Sequence, residues 1–435
     1  MSKLSRRGLL KGGLAAGSML AAKGLAGGSA TANTSPRRGP LIIANSISDV
    51  TLRFIGTGVS QTEGIKEKIE EDLGFKVEMT PLGTDENNRK AITQPNQWDI
   101  FDGEYFSLPL VIPSGNIQPI DINRITQFDK IVPFFTTGKF DGMPVETSQG
   151  TAPYKVMYLT GPDSTEFATE QTEYATLLPF QYNADTLGWR TDLVGTEITS
   201  WAQLFDEEFK GKTSILDIPS IGIMDAAMVI EAAGLMTFGD KGNMTKEELD
   251  AVTNILIEQK RNGQFRAFWK TFDESVNLMS SGEVVLQSMW SPAVTAVRAR
   301  GLGVQYGPLD EGYRGWGGGV GLSKNLSGIE LDAAYEYLNW MMDGWLGAYL
   351  GRQGYYSAAP ETARAFMEPY EWDFWYEGLP AAQDIVDPFG TTIASAGAVR
   401  DGGAFKDRVG NIVCWNSVMD EQTYLVQKWN EFIAA

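Results

Sequence analysis

The sequence predicts an α/β protein with a parallel sheet, and a mature chain that folds as two lobes. Apolar or alternating segments typical of strands, at 41–45, 75–79 and 98–103, enclose segments typical of helices at 63–73 and 85–94. Strands that alternate with helices are typical of parallel sheets. The chain has 435 residues, more than one hydrophobic core usually holds, so we expect two lobes.

Later elements are marked by strand-like segments and by helix-capping patterns. Strands are predicted at 213–218 and 284–289, and a Ser/Thr followed by Glu or Gln predicts helix starts at 199–203, 245–248 and 327–330. A stripe of apolar residues at helical spacing follows the last of these and predicts a single core-packing helix, with Leu331, Tyr335, Leu338, Met342, Trp345 and Tyr349 on one face.

The N-terminus carries the features of an export signal. Arg6 and Arg7 precede an apolar, small-residue stretch at 12–28, and small residues follow it. This pattern predicts a twin-arginine signal peptide over residues 1–32, with the mature protein in the periplasm. A basic tail, or an ordinary export signal that happens to hold two arginines, are the alternatives.

The composition restricts the partners. The formal charge is −19, and removal of the five positive charges of the leader brings it to about −24. Nucleic acid and anionic lipid are therefore poor partners, and no apolar run reaches the length of a membrane span. The acidic surface reflects either a cationic ligand or a saline habitat.

Cysteine and histidine usage argues against several kinds of chemistry. Cys414 is the single cysteine, so no internal disulfide forms, and its apolar neighbours predict a buried, inert thiol. The chain has no histidine, which removes the commonest general base and the usual zinc ligand. We expect no metal and no cofactor, and the absence of histidine lowers the expectation of an enzyme.

Seven short segments form an ordered pattern along the chain. They are WDIFDGEY at 98–105, GNIQPID at 115–121, LPFQYN at 178–183, TSWAQLF at 199–205 followed by FKGK at 209–212, EVVLQSMW at 283–290, WGGG at 316–319, and GYYS at 354–357. In this order they resemble the periplasmic solute-binding proteins of ABC importers, in particular the spermidine/putrescine-binding group. Each segment is weak alone, and their order carries the assignment.

The resemblance implies a two-lobed periplasmic-binding-protein fold of type II, with a ligand cleft between α/β lobes. It places 41–181 and 317–363 in lobe 1, and 182–316 and 364–435 in lobe 2. It also implies a monomer without enzymatic activity that delivers a small molecule to a membrane permease.

Carboxylates at strand ends and aromatic residues in the matched segments are the candidate ligand-binding groups. An ammonium ligand needs aromatic faces and charge-assisted hydrogen bonds. The candidates are Asp102, Glu104, Tyr105, Tyr182, Asp217, Trp290, Trp316 and Tyr355. Alternatively, Trp290 and Trp316 pack the lobe interface, and Asp102 and Glu104 are solvated.

The sequence departs from the polyamine-binding pattern. Ser46 stands where the family has an aromatic residue, only glycines follow Trp316, and Ile221 stands near the second of a pair of acids. Fewer carboxylates fit a ligand with fewer charges, such as a monoamine or quaternary amine. We therefore predict a binding protein for a small cationic amine. An oligosaccharide ligand, and a secreted hydrolase that uses two carboxylates, are the alternatives.

Overall fold

The computed structural model describes residues 46–140, 143–144 and 148–435. The predicted signal peptide and the strand predicted at 41–45 lie outside these residues. The α-helices are α1 Glu63–Leu73, α2 Thr84–Thr93, α3 Leu108–Val111, α4 Pro133–Thr136, α5 Pro219–Ala232, α6 Lys246–Arg261, α7 Phe272–Ser281, α8 Ser291–Ala299, α9 Gly328–Met342, α10 Trp345–Gly351, α11 Pro360–Arg364, α12 Pro369–Trp375, α13 Phe405–Gly410 and α14 Gln422–Ala434. The strands are β1 Thr51–Gly56, β2 Lys76–Pro81, β3 Ile100–Glu104, β4 Ile117–Gln118, β5 Ile120–Asp121, β6 Lys139–Phe140, β7 Met143–Pro144, β8 Gln149–Gly150, β9 Tyr174–Ala175, β10 Leu178–Arg190, β11 Thr213–Leu216, β12 Phe265–Trp269, β13 Leu286–Met289, β14 Val304–Tyr306, β15 Tyr313–Ser323, β16 Tyr356–Ser357, β17 Ile385–Val386, β18 Thr392–Ala394 and β19 Ile412–Trp415.

Most strands belong to one curled sheet, ordered β12-β11-β13-β10-β15-β3-β1-β2 along its main path. β1 pairs in parallel with both β2 and β3, as the alternation of strands and helices predicts. β11 pairs in parallel with β12 and β13 at the other end. The two long strands between these parallel groups, β10 and β15, are antiparallel to each other.

The long strands connect the two parallel groups of the sheet. β10 pairs with β15 and β16 along its first part and with β13 and β14 along its second part. β15 pairs with β19 at its start and with β3 and β4 at its end. Each strand therefore runs from one group of elements to the other, which places its central residues between them.

Two main hydrophobic cores lie on either side of this junction. The first contains residues of β1, β2, β3, α9 and α10, and also the segment from Met367 to Trp415. The second contains residues of α5, α6 and α14, with Trp201 and Trp429 among its largest buried side chains. A smaller group, called here the aromatic cluster, joins Phe106 to Leu216, Ile221, Trp269 and Trp290.

Helix termini follow the predicted caps in part. At Thr245 and Glu248 the capping box forms and starts α6. At Ser200 and Gln203 it also forms, but it starts a short 3-10 helix rather than an α-helix. Ser327 precedes α9 without a capping hydrogen bond from its side chain, so that predicted box is wrong.

The apolar stripe that predicted one long helix is divided between two. α9 ends at Met342 and α10 begins at Trp345, because Gly344 between them has a φ of 115°, a left-handed value that favours glycine. Tyr335, Leu338 and Met342 are buried as predicted.

Cys414 is buried in the second core, and burial raises the pKa of its thiol to about 12, which agrees with the predicted inert thiol. Among the helices of the described residues, none is both long and apolar enough to cross a membrane. The described part of the chain also holds no group of three Cys, Asp or Glu residues arranged to bind a metal ion.

Candidate functional site

Three neighbouring strands present their polar residues on one face of the sheet. Asp185 on β10 lies directly opposite Arg314 on β15. On the other side of β15, Glu104 of β3 pairs with Gly318 and Asp102 pairs with Val320. Side chains two residues apart on a strand point to the same side, so these groups share a face with Asn183 and Trp316. We call Asp102, Glu104, Asp185, Arg314 and Trp316 the acidic face.

Glycines of β15 allow this face to form over a densely packed core. Gly317 and Gly319 point to the opposite side, where an added Cβ would lie 2.8 Å from Phe135 and 2.8 Å from Leu177. The glycine-rich stretch 315–319 lies within an extended strand that pairs on both sides, rather than in a turn or a loop. Its glycines permit close approach of core side chains.

Asp102 is a buried carboxylate and Glu104 a partly buried one, and neither has an ion-pair partner among the described residues. The Ser60 hydroxyl donates to Asp102 Oδ2, and the Thr84 hydroxyl donates to Glu104 Oε1 at 3.0 Å. Burial raises the pKa of Asp102 from 3.8 to about 7, and Glu104 raises it further, while Ser60 lowers it. Burial likewise raises the pKa of Glu104 from 4.5 to about 7. Hydroxyl donors offset this rise only in part at both groups, and the charge of Arg314 also opposes it at Glu104.

Arg314 is the guanidinium of the acidic face, and other groups already occupy it. It donates to Asp225 Oδ1 at 2.6 Å, to Asn416 Oδ1 at 2.6 Å and to Asp185 Oδ2 at 3.4 Å. Burial lowers its pKa, but the two carboxylates more than offset this and leave it above its usual value. Burial raises the pKa of Asp185 to about 6, and Arg314 opposes that rise. Two buried carboxylates, Asp185 and Asp225, thus engage the guanidinium directly, and its charge also acts on Glu104.

Tyr355 and Trp316 place aromatic rings beside these charges. Their ring centroids are 5.9 Å apart in an edge-to-face arrangement. Burial, and then the negative charges of Asp185 and Glu104, raise the pKa of the Tyr355 hydroxyl well above its usual value. The hydroxyl therefore lies in the field of both carboxylates. The structure brings together Asp102, Glu104, Trp316 and Tyr355 among the residues predicted from sequence.

Tyr105 and Tyr182, also predicted for the site, lie in the first core on the opposite side of β15. The Tyr105 hydroxyl donates to the Leu177 carbonyl at 2.8 Å. Tyr182 packs among Phe134 and Phe135, with ring centroids 4.6 and 5.6 Å away. Both rings are fully buried. The structure therefore does not bring them to the acidic face.

Asp217 and Trp290 come from the second half of the chain and have partners of their own. Trp429 Nε1 donates to Asp217 Oδ1 at 2.7 Å, and Lys270 Nζ lies 3.1 Å from Asp217 Oδ2. Trp290 packs edge-to-face on Trp269, with centroids 4.8 Å apart, inside the aromatic cluster. This position is consistent with the alternative stated above, in which Trp290 packs the lobe interface.

Three charged residues of this site, Asp185, Arg314 and Asp225, were not predicted from the sequence. Asp185 lies two residues beyond the matched segment that ends at Asn183, and Arg314 lies two residues before Trp316. Strand alternation would have placed each pair on one face. Asp225 was the clearer signal, because it is the one charged residue in the apolar run from Ile221 to Ile230.

Two cavities lie away from the acidic face. One, of about 10 Å³, lies between α8, α12 and the segment around Arg400. The other is an open groove of about 400 Å³ between 301–304 and 392–395. Neither is lined by Asp102 or Glu104.

Comparisons with known proteins give a consistent set of relatives. The profile of the family described as bacterial extracellular solute-binding protein matches residues 64–371. The spermidine/putrescine-binding periplasmic protein of Escherichia coli (strain K12) is 24% identical over 338 residues, which cover 75% of this chain and 82% of that protein.

Solved structures agree on the fold. A spermidine/putrescine ABC transporter substrate-binding protein from Streptococcus pneumoniae matches with a TM-score of 0.58 at 13% identity, covering 88% of this chain and 99% of that one. A GABA receptor matches with a TM-score of 0.55 at 18% identity, covering 88% and 95%. The predicted two-lobed periplasmic-binding-protein fold is confirmed.

Proposed function

This chain belongs to the bacterial extracellular solute-binding proteins, and we propose that it captures a small cationic amine and delivers it to an ABC importer. The ammonium group of the ligand binds at the acidic face, with Asp102 and Glu104 as its carboxylate partners. Trp316 and Tyr355 supply aromatic contacts. The proposal includes no chemical step, because capture and release are sufficient for delivery to a permease.

The observation that carries the proposal is a buried carboxylate beside a partly buried one, neither of which forms an ion pair among the described residues. Transfer of an ionised carboxylate from water into protein is costly unless a positive group accompanies it. Asp102 and Glu104 receive only hydroxyl donors, and Arg314 is engaged by Asp185 and Asp225. A protonated amine brings both the missing charge and several N–H donors.

The aromatic residues support the same ligand class. A cation over the face of a tryptophan or tyrosine gains about 0.5–2 kcal/mol, depending on how far it is removed from water. Trp316 is partly exposed and stands next to Tyr355, whose hydroxyl lies close to Glu104 and Asp185. An ammonium bound between ring and carboxylates would contact both kinds of group. Direct ligand contact by Tyr105, Tyr182, Asp217 and Trp290 stays a prediction.

The names of the relatives support one class of ligand. Those reported above are named for spermidine and putrescine and, in one case, for GABA. These three molecules share a protonated amino group at the end of a flexible aliphatic chain. An alkyl ammonium is therefore the part of the ligand that the acidic face would recognise, whatever group the other end carries.

We also infer that the protein works outside the cytoplasm as a monomer, exported through the twin-arginine signal at 1–32. The predicted lobe boundaries stay a prediction, and the packing supports one refinement of them. The segment from Met367 to Ile393 contributes to the first core, whereas Leu425, Trp429 and Phe432 contribute to the second. The tail thus crosses to the second core near Cys414.

A thermal-shift screen tests the proposed function. The mature protein is heated with putrescine, spermidine, GABA, glycine betaine or maltose, and mass spectrometry checks that the bound compound is recovered unchanged. A ligand at about 100 times its Kd stabilises the folded state by about 2.7 kcal/mol. We expect an amine to raise the melting temperature and maltose to leave it unchanged.

A matched pair of variants assigns the effect to the site. Glu104→Gln should reduce the amine-dependent shift strongly. Glu78→Gln is the control, because Glu78 is exposed on β2 of the same sheet. A response to maltose alone, chemical conversion of the amine, or equal responses in both variants would argue against an amine-binding protein.

A further inference from the structure

The small cavity between α8, α12 and the 400–408 segment is lined by an excess of positive charge. Its walls include Arg298, Arg400 and Arg408, together with the hydroxyl residues Ser291 and Thr295. The side chains of Arg400 and Arg408 are buried, and we call the space they share the arginine cavity. It has a volume of about 10 Å³, room for one water-sized particle.

Asp401 is the one carboxylate that lines the cavity, and it is already paired; Asp185, outside the lining, also acts on Arg408 through its charge. Asp401 Oδ2 lies 2.7 Å from Arg298 Nη2. Arg400 donates only to the carbonyls of Trp375 and Gly354. Arg408 donates to the carbonyls of Asp401 and Ala184, both at 2.9 Å. Two of the three positive charges therefore have no anionic hydrogen-bond partner among the described residues.

Aromatic faces compensate these charges only in part. Arg400 lies over the rings of Tyr356 and Trp375, at 4.4 and 4.8 Å from their centroids. Arg408 lies 5.0 Å from the ring centroid of Tyr313. Cation–π contacts are weaker than a direct ionic partner. Burial lowers the pKa of Arg400 from 12.5 to about 10, so its charge is the less compensated of the two; burial also lowers the pKa of Arg408, but the neighbouring tyrosines and Asp401 keep it above its usual value.

Unused hydrogen-bond donors belong to the same wall. Arg408 Nε and Trp375 Nε1 are buried and have no acceptor among the described residues, and both side chains line the cavity. α8 begins at Ser291, so the positive end of its helix dipole also meets this space. Buried donors of this kind are normally satisfied by protein, water or an ion. An anion in the cavity would accept hydrogen bonds from the unused donors and compensate the positive charge of the arginines.

We propose that the arginine cavity is a binding site for one small monatomic anion of the chloride class, separate from the amine site. The anion would accept from Arg408 and Trp375 and compensate Arg400. It would thereby stabilise the contacts between α8, α12 and the 400–408 segment. The cavity is too small for phosphate or a carboxylate-bearing solute, so the proposal names a halide.

Bromide diffraction tests the site in the unaltered protein. Crystals of the mature protein grown with sodium bromide are measured at the bromine absorption edge. We expect an anomalous peak inside the arginine cavity, within hydrogen-bonding reach of Arg408 Nε. A cavity without a peak, or peaks at the protein surface only, would overturn the proposal.

Thermal stability provides the second measurement. At constant ionic strength, replacement of gluconate by chloride should raise the melting temperature of the ligand-free protein by about 2 °C in a saturable manner. Arg400→Gln should abolish this chloride-specific rise. Arg190→Gln is the control, since Arg190 is also buried but pairs with Asp192. A rise that is absent from the parent protein, or unchanged in Arg400→Gln, contradicts the assignment.

Discussion

The affinity for the amine should depend steeply on pH between 6 and 8. Asp102 and Glu104 both have a pKa of about 7 in the ligand-free protein. A bound ammonium favours their ionised forms, so binding requires release of any proton they carry. A primary amine, with a pKa near the ~10.4 of lysine, stays protonated over this range. Affinity should therefore rise with pH as the carboxyl groups ionise.

The expected size of the effect follows from these values. At pH 6 a group with a pKa of about 7 is ionised in roughly one molecule in eleven, and at pH 8 in almost all. Each carboxylate that must ionise thus changes Kd by about tenfold, and two by up to about a hundredfold. Asp185, with a pKa of about 6, adds a smaller contribution near the lower end.

Isothermal titration calorimetry measures both parts of this prediction. Kd is determined at pH 6, 7 and 8, and titration in buffers of different ionisation enthalpy counts the protons released. We expect net proton release near pH 6.5 that falls towards zero at pH 8. Glu104→Gln should flatten the profile, whereas Glu78→Gln should keep it. A Kd that is constant from pH 6 to 8 refutes the assignment of ammonium to these carboxylates.

Three further outcomes are expected. Replacement of Arg6 and Arg7 by lysine should leave folded precursor in the cytoplasm, as cell fractionation would show; normal export would contradict the twin-arginine signal. Trp316→Ala should weaken amine binding at least about tenfold in calorimetry. Trp345→Ala loses ring contacts in the first core and should lower Tm, with the affinity for the amine unchanged. The reverse pattern would exclude Trp316 from the site. Asp102→Asn should stabilise the ligand-free protein at pH 8 by at most about 4 kcal/mol, because the pKa of Asp102 is raised from 3.8 to about 7 in the folded state, so its contribution to stability is present below pH 4 and is lost as pH rises through 7. Denaturant titration should show a difference in unfolding free energy between parent and variant at pH 8 and none at pH 4; equal stabilities at pH 8 would contradict the prediction.

Helices, strands and the family could be predicted from the sequence where the pattern that marks them is local. The helix predicted at 63–73 has those bounds in the structure, and strands lie at Lys76–Pro81 and Ile100–Glu104 close to their predicted positions. The strand Thr51–Gly56 was missed. Arg53 lies in its middle and looks exposed in sequence, but it forms an ion pair with Asp99 at 2.7 Å.

Only part of the site could be predicted from the sequence, because the burial and pairing of charged residues depend on contacts between residues that are distant in the sequence. Asp102 and Glu104 were identified from their strand end, but nothing local indicates that neither of them forms an ion pair. Asp185 and Asp225 became members of the site through Arg314, which is more than 85 residues away from either along the chain. The register of β10 on β15 places Asp185 opposite Arg314, and register is weakly specified in a glycine-rich strand such as β15.

The central claim is that the acidic face binds the ammonium group of a small solute. A crystal structure of the mature protein with the best amine from the thermal-shift screen tests it most directly. We expect an amine nitrogen within about 3.2 Å of a carboxylate oxygen of Asp102 or Glu104, with the adjacent methylene groups against the ring of Trp316. A solute bound elsewhere, or one whose ammonium lies away from both carboxylates, would contradict it.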